Sequence, residues 1–503
     1  MTWTPLTPLL AAAATAVLAL LSDLFAPGRW RVPYVVALLG TLVTLAATLA
    51  TPVRRAGSVF CAGTSTGGDA IFPVDCAYVY DGRAKLVAVV LVALTAAALL
   101  LWAPALRDGE APVGEAVFLL ASAMTGGVAL AGAGDLVTLI VALETLTVPL
   151  YVLVALHRRR QPDASAASVT FFANSVVATA VSLLGAALLY LSTGTVQLRG
   201  LTSVPESIPG EWHPVALAGL VLVLVGLGFK VAAAPLHAWA PTTYDGAPVP
   251  VAAFLSTASK LGGVAAILIV VQGVLQNGPA GPDRGMFIVA GVALAMLAAL
   301  SMVLGTLGAL RQRRTVRLLA WSSVAQAGFV LAPLGGLSGL VALGPAVALL
   351  DAALVYAIFF VVLEVAAFAA VVALRPGEAD GGSLDDLRGL GRRAPWRSAG
   401  LAFALIGLAG LPPVLAGLFA KITVLQALVG VDSYRLAMLV AVVSVAGLAV
   451  YWRPVAALYR VEDGAAVTRP GWAPTAALTV AMAAGVVLTV APQLLYTAVN
   501  AWR

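Results

Sequence analysis

Residues 219–241 read GLVLVLVGLGFKVAAAPLHAWAP, an aliphatic run that carries Lys230 in its middle and is then interrupted by Pro235 and Pro241. Two other stretches share this design. PVAAFLSTASKLGGVAAILIVV (250–271) holds Lys260, and GLPPVLAGLFAKITVLQALVG (410–430) holds Lys421 just after Pro412, Pro413 and Gly417. These are three of only four lysines in 503 residues, while the arginines gather in the polar connections. An arginine does not give up its proton inside a protein, but a desolvated lysine can. Lysine chosen where the chain is most apolar, together with a carboxylate in a similar run, reads as a proton path.

The rest of the chain is of one kind. Hydrophobic residues make up 61% and charged residues 10%, far from the composition of a soluble domain. A span needs about 20 apolar residues, and the pattern predicts about fourteen spans, roughly 5–26, 32–52, 84–103, 114–132, 135–156, 166–192, 214–240, 249–273, 285–308, 317–335, 339–374, 397–429, 435–457 and 473–496. The fold class is therefore an all-α polytopic membrane protein, one integral membrane domain over 1–503 with short connections. The N-terminus, MTWTPLTPLLAAAATAVLALL, lacks a basic n-region and reads as the first span, not as a cleaved signal peptide.

Charge orients the spans. With the N-terminus outside, the inner connections hold most of the cations, including Arg158–Arg160, Arg311, Arg313, Arg314, Arg317, Arg375, Arg388, Arg392, Arg393, Arg397, Arg453 and Arg469. The outer side receives Arg54, Arg55, Arg83, Lys85, Arg199, Arg284, Arg435 and Arg503. Positive residues favour the inner side, so both termini are expected outside a bacterial cytoplasmic membrane. The net charge of +6 is thus a topological signal, and no basic patch interleaved with aromatics points to nucleic acid. Cys61 and Cys76 share one outer loop, where either a disulfide or two free thiols is compatible with the compartment. Their number and spacing support no metal or iron–sulfur site.

Glu144, in DLVTLIVALETLTVPLYVL (135–153), lies nine residues beyond Asp135, and Lys260 lies ten beyond Pro250. At 1.5 Å per residue these are depths of roughly 14 and 15 Å, near the middle of a core about 30 Å thick. Burial disfavours the charged form of a lysine and an adjacent carboxylate restores it, so a lysine between these influences can load and release a proton. The competing reading is a static ion pair that fixes helix packing. His237, at the first helix break, reads either as a relay between Lys230 and Lys260 or as a satisfied structural group. Glu364, in FFVVLEVAAFAAVV (359–372), and Asp351 read either as pathway residues or as structural hydrogen-bonding groups. Ser256, Thr257 and Ser259 stand beside Lys260, and 377–397 reads as a solvated inner loop. Two Pro-broken, Lys-bearing helices in corresponding places suggest an internal repeat with its sites at the midplane.

The stretch FKVAAAPLHAWAPTTYDGAPVPVAAFLSTASK (229–260) resembles the proton-translocating antiporter-like subunits of respiratory complex I, the NADH–quinone oxidoreductase. DLVTLIVALETLTVPLYVL (135–153), RLLAWSSVAQAG (317–328), DDLRGLGRRAPW (385–396) and GLAGLPPVLAGLFAKITVL (407–425) are similar to the same family, so the likeness covers most of the chain beyond the fourth span. It implies N-terminal helices 1–3 over 1–110, a first repeat of helices 4–8 over 111–275, an inverted second repeat of helices 9–13 over 280–460, and a last helix over 470–503. It implies that Glu144 and Lys230 form a coupling pair, that Lys260 is the central relay, and that Lys421 serves the second half-channel. With the chain stopping after span 14, the long lateral helix of the largest sibling is expected to be lacking. Two departures concern the wiring: Thr170 stands before Phe171–Phe172 where the family often has Lys, and Gln326 stands where it often has His.

The resemblance further implies a non-redox subunit of the translocating enzyme, with no cofactor bound by this chain. NADH, FMN, iron–sulfur clusters and quinone are expected in partner subunits. The Arg-heavy, Lys-poor usage fits a GC-rich, actinobacterial genome, for which menaquinone would be the acceptor. The partners implied are a neighbouring antiporter-like subunit and small membrane subunits of the same arm, the lipid bilayer and protons, and no nucleic acid. The other reading is a subunit of a multisubunit cation/proton antiporter. A solute transporter would need a dedicated polar pocket, and a pure scaffold would tolerate loss of all three lysines.

Overall fold

The computed structural model describes residues 3–53, 57–67, 70–156, 161–198, 212–275, 284–340, 344–375, 381–461 and 471–500. Among them, thirteen helices are long and apolar enough to cross a membrane. They begin with α1 (Thr7–Phe25, preceded by a 3-10 turn Thr4–Leu6), α2 (Arg31–Ala50), α3 (Gly82–Arg107), α4 (Val113–Ala131) and α5 (Leu136–Ala155). Next come α6 (Gln161–Thr193), α7 (His213–Lys230), the short α8 (Trp239–Gly246), and α9 (Val249–Phe254), which runs through a π-turn (Leu255–Ser259) into α10 (Lys260–Leu275). The second half holds α11 (Arg284–Leu310), α12 (Thr315–Gly335), α13 (Gly344–Leu374), the single turn α14 (Leu390–Arg393), α15 (Pro395–Ala409), α16 (Ala416–Val429), α17 (Tyr434–Tyr459), α18 (Trp472–Val490) and the short α19 (Gln493–Asn500). The one predicted span not among these thirteen, 397–429, is the pair α15 and α16, of 15 and 14 residues. Neither half alone reaches the ~20 residues that a crossing needs.

The helical membrane fold carries one short non-helical element. The predicted outer loop before α3 is an antiparallel hairpin, β1 (Ser58–Gly67) and β2 (Ala70–Val79). Val59, Phe60, Ile71, Phe72 and Val79 are strand formers, and the register sets Cys61 opposite Cys76, which are joined as a disulfide. Tyr78 pairs with Ala133 and Asp135 with Gln197, so the hairpin lies against the turn between α4 and α5.

Burial separates centre from rim. The windows within 249–275, 315–339 and 345–374 are 94, 94 and 89% buried, whereas those of α1, α2, α17 and α18 are about one-third buried or less. The middle of the bundle is therefore α9–α10, α12 and α13, and α13 packs against α12, α15, α16 and α18. Lipid supplies no hydrophobic drive between helices, so close packing of small residues carries association. A Cβ on Gly126 would stand 2.2 Å from the Leu146 amide between α4 and α5, and one on Gly305 would stand 2.3 Å from the Ala325 amide between α11 and α12.

The predicted inner connections meet at one end. Arg314 Nε donates to Asp245 Oδ1 at 2.8 Å, Arg375 pairs with Asp386 at 2.9 Å, and Arg397 donates to the Ala373 carbonyl. At the other end Arg83 reaches Asp351 at 3.8 Å and Gln272 Oε1 at 2.7 Å, and Lys85 donates to the carbonyls of Leu49 and Thr51. Arg54, Arg55, Arg158–Arg160, Arg199, Arg469 and Arg503 lie outside the described residues.

Candidate functional site

The first helix break follows Lys230, where α7 stops and residues 231–238 are non-helical up to α8. A break frees backbone groups that must find partners at membrane depth. Here neutral side chains provide them: the Ser301 hydroxyl of α11 accepts from the Ala234 amide at 2.7 Å, and Trp239 Nε1 donates to the Phe229 carbonyl. Lys230 is thus left to face α5 and α6. Its Nζ donates to Glu144 Oε1 at 2.8 Å, Ser175 Oγ at 3.0 Å and Thr147 Oγ1 at 3.3 Å. Thr179 donates to the same Glu144 oxygen, and Tyr151 donates to Ser175.

Glu144 is less enclosed than its partner: its side chain is 24% exposed, against 4% for Lys230. The reason is the place of α5 at the flank of the chain, where Val137, Val141, Val148 and Val152 stand exposed on the same helix. The ion pair therefore runs from the interior outward to the surface of this subunit.

Lys260 follows the π-turn Leu255–Ser259 directly. Such turns displace the local helix register and recur at functional positions. Nζ donates to the carbonyl and hydroxyl of Ser323 in α12, both at 2.8 Å. Ser256, within the turn, donates to Glu364 Oε1 at 2.7 Å, while Glu364 Oε2 is buried with no hydrogen bond among the described residues. The Tyr244 hydroxyl is buried in the same cluster. Gly263 brings α10 onto the first break, since a Cβ there would lie 3.1 Å from Lys230 Cβ and 2.9 Å from Val231 Cγ1. His237 packs edge-on against Trp321 at 5.0 Å between ring centroids, with a buried Nδ1 that has no hydrogen bond among the described residues.

At the second break the lysine itself satisfies the freed carbonyls. Lys421 Nζ donates to Ala409 O at 2.6 Å and Leu408 O at 3.3 Å, at the end of α15. A cation at a helix C-terminus also suits the helix dipole. Gly417 allows this approach, because a Cβ would fall 1.9 Å from the Gly407 carbonyl.

The structure so gathers Glu144 with Lys230 and Lys260 with Glu364, and sets Lys421 at its own break. Asp351 stands apart with Arg83. Sequence reasoning missed Thr147, Ser175, Thr179, Tyr151, Ser323 and Tyr244. Ser322 and Ser323 were visible as a polar pair in an otherwise apolar run; the others are single hydroxyls that nothing in the letters sets apart. Among the described residues no three His, Cys, Asp or Glu side chains form a metal-ligand group.

Fold and site together define a polytopic helical membrane protein whose broken helices present buried lysines to carboxylates and hydroxyls. Residues 133–447 match the family described as NADH:quinone oxidoreductase/Mrp antiporter, TM. The chain is 55% identical over 467 residues to the NADH-quinone oxidoreductase subunit N of Salinispora tropica, covering 92% of this chain and 86% of that one. It is 39% identical to subunit N 2 of Streptomyces griseus, over 94% and 86% of the two chains. A chain of respiratory complex I from Thermus thermophilus superposes with a TM-score of 0.74 at 29% identity, over 97% and 98% of the two chains. A chain of the Mrp complex of Dietzia sp. DQ12-45-1b has a TM-score of 0.79 at 22% identity, a likeness of fold. The chain belongs to the NADH:quinone oxidoreductase/Mrp antiporter transmembrane family, and within it to subunit N of NADH-quinone oxidoreductase. It is a membrane-embedded, antiporter-like subunit of the membrane arm of that multisubunit enzyme.

Proposed function

We propose that this subunit couples quinone reduction elsewhere in the complex to proton movement through Glu144, Lys230, Lys260 and Lys421, with Glu364 as the carboxylate of the central lysine and His237 beside the link from Lys230. The observation that carries this reading is the 2.8 Å ion pair between Glu144 and Lys230 at the end of a broken helix. While the pair is closed the carboxylate holds the charge on Lys230. When it opens, the uncompensated ammonium gives its proton up towards Lys260 and then Lys421. Moving a charge against 100 mV costs about 2.3 kcal/mol. Breaking a buried pair changes the balance by about 3–5 kcal/mol, so the energies are of matching size.

Two five-helix units over 111–275 and 280–460, related by inversion, agree with the lysine-bearing breaks at α7–α8 and α15–α16 and with the glycine contacts α4–α5 and α11–α12. NADH, FMN, iron–sulfur clusters and quinone, menaquinone in an actinobacterial host, belong in this reading to partner subunits. This chain supplies the electrostatic part, next to another antiporter-like subunit and small membrane subunits in the bacterial cytoplasmic membrane, with both termini outside.

Native electrophoresis of mildly solubilised membranes, with in-gel NADH oxidation and mass spectrometry of this chain, tests the assembly. Co-migration with an NADH-oxidising band is expected, and migration in an assembly without that activity would favour the cation/proton antiporter. Lys230→Ala and Lys260→Ala in the assembled complex are expected to lower quinone reduction and pumping together. Normal pumping in both would remove the relay.

A further inference from the structure

The half-helix that carries Lys421 has no continuous helix below it to fix its phase. Pro412 and Pro413 interrupt the backbone ladder, residues 410–415 are non-helical, and α16 restarts at Ala416 for only 14 residues. Its rotation about its own axis therefore depends on side contacts. On one face Lys421 Nζ donates to the Leu408 and Ala409 carbonyls. At 100° per residue, Phe419 and Thr423 stand about 160° from Lys421, on the opposite face of the same turn.

α19 holds that opposite face. The residue before a proline is pushed out of the helical region, and Ala491, before Pro492, has φ −132° and ψ 60°, so α18 ends there. α19 then packs against α3 and α13, with Leu495 and Val499 buried one turn apart. This sets the Tyr496 ring 6.5 Å from that of Phe359 in α13, and its hydroxyl 2.7 Å from Thr423 Oγ1. Thr423 gives its own hydrogen to the Phe419 carbonyl at 2.9 Å. A hydroxyl has one hydrogen to give, so Tyr496 is the donor to Thr423. The turn that presents Lys421 is thus bonded in front to the end of α15 and behind to α19.

We propose that Tyr496 is a positioning residue for Lys421: by bonding the back of this turn it fixes the rotation of α16 and keeps the lysine nitrogen at the Leu408 and Ala409 carbonyls. The two restraints respond differently to the proton. A hydrogen bond from an ammonium is roughly twice as strong as a neutral one, so the front contact weakens whenever Lys421 has given its proton up. The bond from Tyr496 to Thr423 joins neutral hydroxyls and keeps its strength through that step. It holds the half-helix in phase while the amine is uncharged, and the next proton meets the nitrogen in the same place. Tyr496 exchanges no proton with Lys421. The proposal rests on the reading of Lys421 as a proton carrier.

The test uses the assembled complex in inverted membrane vesicles. Tyr496→Phe keeps the ring against Phe359 and removes the hydroxyl, Thr423→Val removes the acceptor at similar shape, and Thr423→Ser keeps it. Tyr496→Phe and Thr423→Val are each expected to lower the protons moved per electron, with NADH oxidation by an artificial acceptor kept. The double variant is expected to fall no further than either single one, and Thr423→Ser to restore the wild-type ratio. Hydrogen exchange of the α16 amides in Tyr496→Phe is expected to rise about fivefold, the factor for one neutral hydrogen bond. Faster exchange with an unchanged proton-to-electron ratio would reduce the contact to packing and overturn the proposal. Additive losses in the double variant would overturn it too, because the two hydroxyls would then act separately. Lys421→Gln separates the two layers: if it pumps normally the relay reading itself fails, and if it lowers pumping while Tyr496→Phe does not, only the positioning role fails.

Discussion

Replacing Glu144 by Gln keeps the length of the side chain and an acceptor for Thr179, and removes the charge that sits 2.8 Å from Lys230 Nζ. Loss of one partner of a buried pair costs about 3–5 kcal/mol. The carboxylate is 24% exposed, which places this site at the lower end, about 3 kcal/mol. At about 1.4 kcal/mol per decade this weakens the hold on the Lys230 proton by roughly two orders of magnitude. Ser175 and Thr147 remain as neutral acceptors, so the side chain stays in place and the effect is electrostatic. The assay is NADH-driven acidification of inverted membrane vesicles, run beside quinone reduction in the same vesicles. Both rates are expected to fall together in Glu144→Gln, with Glu144→Asp between it and the wild type. Wild-type pumping in Glu144→Gln would refute the argument that this contact sets the state of Lys230.

Other perturbations test other contacts. Ser256→Ala removes the one hydrogen bond to Glu364 among the described residues, and is expected to cost about 1–3 kcal/mol; an unchanged melting temperature of the solubilised complex would show that the carboxylate is satisfied elsewhere. Asp386 lies outside the spans: burial pushes its carboxyl up, but the amide and hydroxyl of Ser383 and the Arg375 guanidinium outweigh this and hold it below the usual range. Its stabilising share is therefore present above the unfolded value of about 3.9 and lost as pH falls through the lower folded value; the deficit of Asp386→Asn in melting temperature should shrink towards acid pH, and a constant deficit would contradict the sign. Cys61→Ser opens a loop with a sequence separation of 15, nominally about 3 kcal/mol, and should make the hairpin protease-sensitive; a non-reducing peptide map of the native protein with both thiols free would end that prediction.

Most of the architecture could be read from the letters, because membrane depth imposes a length on every apolar run and a penalty on every charge within it. Lys230, Lys260 and Lys421 stood out for that reason, and so did the proline breaks beside Lys230 and Lys421. The partners of these lysines were harder to see. Thr179, Ser175 and Ser323 are single hydroxyls in helices distant in sequence, and small polar residues in membrane helices usually do no more than pack. The exposure of Glu144 depends on which face of α5 is left uncovered, a property of the whole bundle. The hairpin was read as loop because a two-stranded element of this length is a weak signal beside fourteen long spans.

The π-turn before Lys260 has a consequence for how this helix tolerates change. One residue of an α-helix turns the chain through 100°, and a π-turn accommodates one residue beyond that count. Lys260, Gly262 and Gly263 are therefore keyed to the surplus residue within Leu255–Ser259. A deletion of a single residue there would let α9 and α10 merge into regular helix, and would swing the ammonium out of phase with Ser323 and the two glycines out of phase with α5 and α7. Substitutions in that turn alter chemistry one side chain at a time; a one-codon deletion would rephase the entire outer half of the helix at once.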